Sequence, residues 1–313
     1  MSAIVQHITY NEYLPLVLGT DLMVKYGLNI HPGHWNGYDV TVRPDAKNGF
    51  QTAAFRFGHS LISNSFKLKE NSLSDSKYVF LSEGFFRPHE LYKAIMGSGV
   101  DRILYGMASK PSQSADRHFA TQVTRNLFTK SPPHGLGTDL VALNIHRGRD
   151  HGLPSYNRYR RWCNLPTGHT FTNLPDINDD IKMKLSHIYD EVEDIDLYVG
   201  GLMENHLEGA SVGPTFGCII ARQFSNLRKG DRFWYETSKK NLAFTAAQLT
   251  EIKKMRLAKI LCDVSDNIPY MQPWVLLQTN NGTKHCNNQN NCRYNKLIPC
   301  FEFSNLDIKA WKD

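Results

Sequence analysis

The segment AAFRFGHSLI, residues 53–62, places an arginine and a histidine three positions apart within an apolar run. If the segment is an α-helix, Phe55, His59 and Ile62 share one face, because residues three and four apart stack one turn above another. Arg56, three residues before His59, lies on nearly the same side. Gly58 leaves room beside the histidine for a flat molecule to approach the backbone. Such a face suits a group with a metal at its centre and carboxylates at its rim.

Haem is a cofactor of this kind, but the segment also has an interpretation without a cofactor. His59 could be a core histidine that hydrogen-bonds to the backbone, with Arg56 paired to a carboxylate. Because buried polar groups are usually satisfied within the protein, the segment taken alone favours this second interpretation.

A second segment, DLVALNIHRGRDHGLPSYNRYRRWCNL at residues 139–165, repeats the arrangement. Asn144 stands among apolar residues, and Arg147 follows it by three, so an amide and a guanidinium share one side of a predicted helix. A metal-bound histidine needs an acceptor that orients its other ring nitrogen, and an asparagine carbonyl supplies one without adding charge. Taken alone, Asn144 is better explained by a helix-bending or capping role.

Two further histidine patterns indicate structure rather than chemistry. In RDHG, residues 149–152, Asp150 and His151 are adjacent, so they face different sides of a helix and cannot align as a catalytic dyad. His31 and His34 would need two further ligands to hold a metal, and their loop offers none at a useful spacing.

The composition is that of a globular protein with mixed charge. The 313 residues are 41% apolar and 11% aromatic, enough for a sizeable core. A formal net charge of +6, from 36 basic and 30 acidic residues, is spread along the chain and does not demand a nucleic-acid partner. No stretch approaches the roughly 20 apolar residues that cross a bilayer, and residues 1–20 lack the pattern of a secretory signal.

The cysteine content indicates an oxidising compartment. The six cysteines form an even set without a CxxC pair, which favours three disulfides over zinc ligands or a redox motif, with free buried thiols as the alternative. The sequon Asn281-Gly282-Thr283 points to the same secretory compartment.

Helical periodicity dominates the chain and predicts a mainly α protein. The clearest helix is 245–262, where Thr245 and Gln248 form a capping box before an apolar face. Other helices are predicted at 9–18, 47–64, 113–129, 138–149, 178–192 and 215–229, with loops at 30–46, 130–137, 165–176 and 278–299. No repeat or linker divides the chain, so we expect one domain.

Taken together with four other segments, the two segments above resemble the animal haem peroxidase family. The other four are HITYNEYLPLVLG (7–19), DIDLYVGGLMENHLEGASVGPTFGCIIARQF (194–224), LRKGDRFWYE (227–236) and LAKILCDVSDNI (257–268). The resemblance runs from residue 3 almost to the end, and only 278–299 looks like local variation. It implies a partial animal haem peroxidase fold, helical with very little β structure, in which haem lies between core helices.

The resemblance implies a role for each of four residues. His59 in FRFGH matches the histidine that ligates the iron of a b-type haem, and Asn144 in ALNI matches the asparagine that accepts a hydrogen bond from the other ring nitrogen. A neutral acceptor leaves the imidazole less anionic than a carboxylate would, which raises the reduction potential of the iron. Arg56 and Arg147 match arginines near the haem propionates, with which a guanidinium pairs well.

The family pattern also suggests how the cysteines pair. It joins Cys163 to Cys218 and Cys262 to Cys300, which leaves Cys286 and Cys292 to close a small local loop.

The implied activity is that of a haem peroxidase, which reduces hydrogen peroxide while it oxidises a small phenolic, halide or protein tyrosine donor. In the family, the distal histidine and arginine, the acids that esterify the haem and the calcium-binding loop all precede the segment that matches residue 3. We therefore expect residues 1–313 to be roughly the C-terminal three-fifths of the domain, without a distal catalytic residue or the calcium site.

The alternative to an active enzyme is a peroxinectin-like adhesion module or an inactive fragment. For the full-length protein we expect secretion and a possible partner in the extracellular matrix or on a cell surface. Because the missing helices would cover part of the haem pocket, we also expect exposed apolar surface on this chain.

Overall fold

A computed structural model describes residues 1–69, 77–87, 99–130, 135–266, 268–279, 285–286, 292–293 and 295–312. Helices dominate these residues, which confirms the mainly α class. They are α1 Ser2–Ile8, α2 Leu14–Lys25, α3 Asn48–Thr52, α4 Gly99–Ser109, α5 Thr121–Thr124, α6 Leu140–Asp150, α7 Tyr156–Trp162, α8 Asp179–Ser186, α9 Leu197–Met203, α10 Pro214–Gly230, α11 Ala246–Lys254 and α12 Leu257–Val264.

The strands of the described residues are short and pair only in antiparallel twos. β1 Ser65–Leu68 pairs with β2 Lys77–Phe80, β3 Tyr270–Met271 with β6 Ile298–Pro299, and β4 His285–Cys286 with β5 Cys292–Arg293. No helix within the described ranges is both long and apolar enough to pass through a membrane.

The N-terminal helical path is longer than the predicted helix 9–18. A π-helical stretch, Thr9–Tyr13, connects α1 to α2. Gly19 then kinks α2 with a φ of +71°, and a side chain there would bring its Cβ within 2.7 Å of the Glu208 carbonyl oxygen. Only glycine combines this backbone conformation with so close an approach.

The main hydrophobic core gathers residues from α2, α9 and α10 around the segment that carries His59. Ala53, Ala54 and Phe57 of that segment pack in this core. Gly200 and Gly201 of α9 let its backbone press directly against Tyr156 and Phe216, because a Cβ at either glycine would overlap these rings. The core therefore fixes α9 close to the His59 segment.

Three further predicted helices differ from the structure in more than length. Residues 47–64 form the short α3 and then a 3₁₀ helix, Ala54–Leu61. In 113–129 only α5 is α-helical. The range contains buried apolar residues at a spacing close to that of a helix: Ala115, Ala120, Val123 and Leu127. However, the Asp116 N–H donates to the Ser60 hydroxyl at 3.1 Å instead of to a helical carbonyl.

The third difference is a break in 245–262. The predicted capping box of Thr245 and Gln248 is confirmed, with reciprocal hydrogen bonds of 3.0 and 3.2 Å. However, Met255 and Arg256 are extended and separate α11 from α12. A residue distant in the chain accounts for the break, because the Leu257 N–H donates to the Glu12 carboxylate at 3.3 Å and not to a carbonyl of the preceding turn.

The remaining predicted helices, 138–149, 178–192 and 215–229, correspond to α6, α8 and α10, with α8 ending earlier than predicted. Predicted loops 30–46 and 165–176 contain no α-helix or multi-residue strand among their described residues, and one 3₁₀ turn, Phe171–Asn173. Helices α4, α7 and α9 were not predicted.

Two of the expected disulfides are confirmed. Cys163 at the end of α7 bonds Cys218 of α10, and Cys262 of α12 bonds Cys300. The backbones of Cys286 and Cys292 lie opposite each other in the β4–β5 pair. Their side chains, and the sequon at 281–283, lie outside the described part of the chain.

Candidate functional site

His59 is presented by the 3₁₀ helix Ala54–Leu61 and not by an α-helix. Because a 3₁₀ helix has three residues per turn, side chains three apart stack, and Arg56 lies one turn before His59 on the same side. Phe55 therefore does not share the face of His59, as the α-helical prediction required. Its ring stacks on Phe50 with a centroid distance of 4.6 Å.

Side chains hold this 3₁₀ helix at both ends. The buried Ser60 hydroxyl donates to the Phe57 carbonyl at 3.0 Å and accepts from the Asp116 N–H. The Arg56 Nε donates to the Gln51 carbonyl at 3.0 Å, which turns the guanidinium back along the chain. The carbonyls of Gln51 and Phe57 thus accept hydrogen bonds from side chains, whereas in an α-helix they would accept from backbone N–H groups four residues on.

Asn144 comes from α6, 85 residues further along the chain. Asp139 caps the start of this helix by accepting from the N–H groups of Val141 and Ala142 at 2.8 and 3.3 Å. Asn144 is the one buried residue of α6. Val141 and Ile145 of the same helix are half-buried and pack against the main core.

The far end of α6 is tied to two neighbouring elements. Arg149 makes a bidentate pair with Asp196, at 3.0 and 2.8 Å, and Asp196 stands immediately before α9. The His151 ring lies 3.0 Å from the Asn48 side-chain oxygen in α3. Asp150 lies instead 3.8 Å from Arg147, so Asp150 and His151 have separate partners and the RDHG run anchors the helix.

The structure brings His59, Asn144 and Arg56 together. The Asn144 Nδ2 lies 2.8 Å from the His59 Nδ1, and the Asn144 Oδ1 accepts from the Arg56 Nη1 at 3.4 Å. In this orientation the amide nitrogen faces the ring, whereas the predicted role requires the carbonyl oxygen there. A half-turn of the amide exchanges the two atoms within almost the same volume.

Tyr198 of α9 is a fourth member of the cluster that the sequence interpretation missed. Its side chain is 2% exposed, and its hydroxyl accepts from the Asn144 Nδ2 at 3.0 Å. Burial raises the pKa of the Tyr198 hydroxyl, against smaller opposing effects of Asn144 and Arg56. A signal was present in DIDLYVGG, because a tyrosine in an otherwise apolar and small-residue stretch needs a buried partner for its hydroxyl.

The other ring nitrogen of His59 is available for a ligand. Burial first, and the Arg56 charge second, lower the pKa of the imidazole, while the hydrogen bond to Asn144 opposes them. The lowered pKa favours the neutral ring, which is the form that binds metals. No residue of the described structure forms a hydrogen bond with Nε2.

Arg147 lies one turn beyond Asn144 on α6 and is solvent-exposed. It pairs with Asp150 and does not join the His59 cluster directly. Phe55 and Leu143, the chain neighbours of Arg56 and Asn144, are 38% and 39% exposed. The two elements that carry His59 and Asn144 thus each carry an arginine as well, and a guanidinium pairs well with a carboxylate.

The mainly helical fold and the contact between His59 and Asn144 agree with the family resemblance of the sequence. The chain belongs to the animal haem peroxidase family, whose family model matches residues 1–276.

Individual relatives agree with this membership. The chain is 37% identical over 317 residues to a peroxidasin homologue of Caenorhabditis elegans, covering 99% of this chain and 22% of that protein. It is 40% identical over 266 residues to the chorion peroxidase of Drosophila melanogaster, covering 84% of this chain and 32% of that protein. The chain therefore spans less than a third of the length of these two relatives.

A solved structure shows the same fold. Peroxidase A of Dictyostelium discoideum superimposes with a TM-score of 0.70 at 34% sequence identity, over 87% of this chain and 49% of that one. A fatty acid alpha-dioxygenase of Arabidopsis thaliana superimposes with a TM-score of 0.64 at 19% identity, which concerns the fold alone.

Proposed function

We propose that this chain supplies the proximal side of the haem site of a peroxidase. The full protein would reduce hydrogen peroxide and oxidise a small phenolic, halide or protein tyrosine donor. The observation that carries the proposal is the 2.8 Å contact between His59 and Asn144, two side chains from separate elements that leave only Nε2 of the ring open.

The residues present fit a b-type haem. His59 would bind the iron through Nε2, and Asn144 would orient the ring through Nδ1. Arg56 and Arg147 would pair with the propionates, because a guanidinium offers two parallel donors to a carboxylate. When bound, haem supplies the iron centre at which the O–O bond of peroxide is cleaved.

The chain's own residues shape how this centre would behave. Asn144 is neutral, so it leaves the imidazole less anionic than an aspartate would, and this favours a higher reduction potential. The interior position of Asn144 excludes water from the Nδ1 side of the ring. In the proposal, residues 1–313 form one part of the peroxidase domain, and groups outside them act on peroxide and hold calcium.

The disulfides support an extracellular location for the full protein. Cys163–Cys218 and Cys262–Cys300 are both formed, and such bonds persist in oxidising compartments. Secretion, with a matrix or cell-surface partner, is therefore part of the same proposal.

The test is haem binding by the 313-residue chain and two histidine variants. Haem is titrated into the protein and followed by its Soret absorbance, with circular dichroism as the check on folding. We expect wild type to bind haem and His59→Ala to bind it at least about tenfold more weakly. Loss of a residue that only orients a metal ligand already weakens metal binding by about tenfold or more, and loss of the ligand itself should cost at least as much. His146→Ala is the matched control, because His146 is an exposed residue of the same neighbourhood in α6.

His146→Ala should bind haem like wild type. Equal binding by wild type and His59→Ala would show that His59 is not the ligand, and a wild-type chain that takes up no haem would contradict the proposal as a whole.

A further inference from the structure

The hydroxyl of Tyr198 is placed to control the orientation of the Asn144 amide. It belongs to a third element, α9, and lies 3.0 Å from the amide that also contacts His59. The position of α9 is set on two sides: Asp196, just before its first residue, is held by Arg149 of α6, and Gly201 packs on Phe216. Tyr198 therefore approaches Asn144 from a rigid support.

The observed orientation of the amide has a definite consequence for the His59 ring. The amide nitrogen donates both to the ring Nδ1 and to the Tyr198 hydroxyl oxygen, while Oδ1 accepts from Arg56. A ring that accepts at Nδ1 carries its proton on Nε2. In that tautomer Nε2 has no lone pair for a metal.

The reversed amide gives the opposite tautomer. Its oxygen accepts from both the Nδ1–H of His59 and the hydroxyl of Tyr198, which leaves the Nε2 lone pair free to bind iron. The amide nitrogen would then face the guanidinium of Arg56. Because two donors do not bond, Arg56 is released from Asn144 and becomes free to pair with a carboxylate.

A hydroxyl can serve both orientations, since it accepts in the first and donates in the second. We propose that Tyr198 is a positioning residue for the iron ligand: its hydroxyl donates to the Asn144 carbonyl when His59 binds iron, and so shares the oxygen that orients the ring. The inference rests on the proposed function, and it concerns how that site is tuned.

Sharing an acceptor weakens each of its hydrogen bonds. With Tyr198 present, the Asn144 oxygen accepts from two donors. Its hydrogen bond to the Nδ1–H of His59 is therefore weaker, and the imidazole is a less basic ligand. With the hydroxyl removed, the oxygen serves His59 alone, and the imidazole becomes a more basic ligand. A more basic ligand stabilises ferric over ferrous iron.

The test compares the haem-loaded wild-type chain with Tyr198→Phe. We expect the ratio of ferric to ferrous affinity to rise about tenfold in the variant, which lowers the reduction potential by about 59 mV for a one-electron couple. The iron–histidine stretching frequency of the ferrous protein, measured by resonance Raman spectroscopy, should rise. Both are properties of the iron ligand that a loss of packing alone would not move in this direction.

Tyr235→Phe is the matched control. Tyr235 is also buried, and its hydroxyl also contacts a histidine Nδ1, but that histidine is His7. The reduction potential and the iron–histidine stretching frequency of haem-loaded Tyr235→Phe should equal those of wild type.

A double variant checks that the effect passes through Asn144. In Asn144→Leu, Tyr198 has no amide to share, so adding Tyr198→Phe should cause no further shift in potential. If Tyr198→Phe leaves the potential and the stretching frequency unchanged, or moves them the opposite way, Tyr198 does not position the ligand. That result leaves the haem proposal standing, because wild type and His59→Ala test it separately.

Discussion

His7 and His59 are held in the same way but lie in opposite surroundings. The His7 Nδ1 is 3.0 Å from the Tyr235 hydroxyl, and the His59 Nδ1 is 2.8 Å from the Asn144 amide. His7 is 1% exposed, and its Nε2 is buried without a hydrogen-bond partner in the described part of the chain. His59 is half-buried, and its Nε2 forms no hydrogen bond within the described residues.

The difference shows that an unbonded ring nitrogen has two meanings. In closed packing it is an unsatisfied polar atom, which lowers stability. On a half-buried ring such as that of His59, it is a position that a ligand can reach. Desolvation by burial lowers the pKa of His7 to about 4, although the charge of Glu236 opposes this. Burial therefore keeps His7 neutral without giving it a ligand.

The largest expected effect is the pH dependence of stability that comes from His7. Its pKa falls from 6.5 unfolded to about 4 folded, so the folded state resists protonation. The stability it contributes is present above pH 6.5 and is lost as the pH falls towards 4, by up to about 3 kcal/mol. Urea unfolding at pH 7 and pH 4.5 should show this loss in wild type and much less of it in His7→Gln.

His59→Gln sharpens the comparison. The pKa of His59 is also lowered, but the ring is less buried, so we expect this variant to retain most of the acid sensitivity of wild type. Equal acid sensitivity in His7→Gln and wild type would mean that His7 is not shielded from protons.

The second expected effect concerns the hydroxyl that holds His7. Tyr235→Phe removes the one hydrogen-bond partner of the His7 Nδ1 in the described structure, and leaving a buried polar atom unsatisfied costs about 1–3 kcal/mol. The free energy of unfolding at pH 7 measures it. A change below about 0.5 kcal/mol would indicate that His7 finds another partner, since even a typical net hydrogen bond exceeds it.

The smallest expected effect is at the tie between α6 and α9. Arg149→Lys replaces a bidentate pair with Asp196 by a single bond, and because Arg149 is 61% exposed the loss of stability should be below about 1 kcal/mol. Since the tie positions Asn144 relative to Tyr198, haem affinity should also fall, by about two- to fivefold.

Arg161→Lys is the control for that variant. Arg161 makes a similar bidentate pair with Glu193, at 3.1 and 2.8 Å and partly exposed, away from the His59 cluster. It should lose comparable stability with haem affinity unchanged. If both variants reduce haem affinity equally, the Arg149–Asp196 tie has no special role at the site.

The sequence was most informative where the family resemblance named particular residues. It predicted two disulfides that are formed, and three residues, His59, Asn144 and Arg56, that the structure brings together across up to 88 positions. Local patterns were less reliable. Apolar spacing could not distinguish an α-helix from the 3₁₀ helix at 54–61, because the choice depends on partners such as Gln51 and Ser60.

Distant partners explain the other differences. The break between α11 and α12 depends on Glu12, more than 240 positions away, and no window around 255 contains that information. Tyr198 and His7 were missed for the same reason, because the importance of each depends on one polar atom brought to it by the fold. The orientation of the Asn144 amide also lies beyond sequence patterns.

The burial of Asn144 on α6 has a consequence for the helix itself. Val141 and Ile145, on the same face, are half-buried against the main core, so the amide and these two apolar side chains together define which way the helix is turned. A shift of one residue rotates a helical face by 100° and would carry the amide out of reach of both Tyr198 and His59. The side chain that contacts the imidazole thus also helps to fix the rotation of α6, and a variant that removes it should loosen the helix as well as the ring.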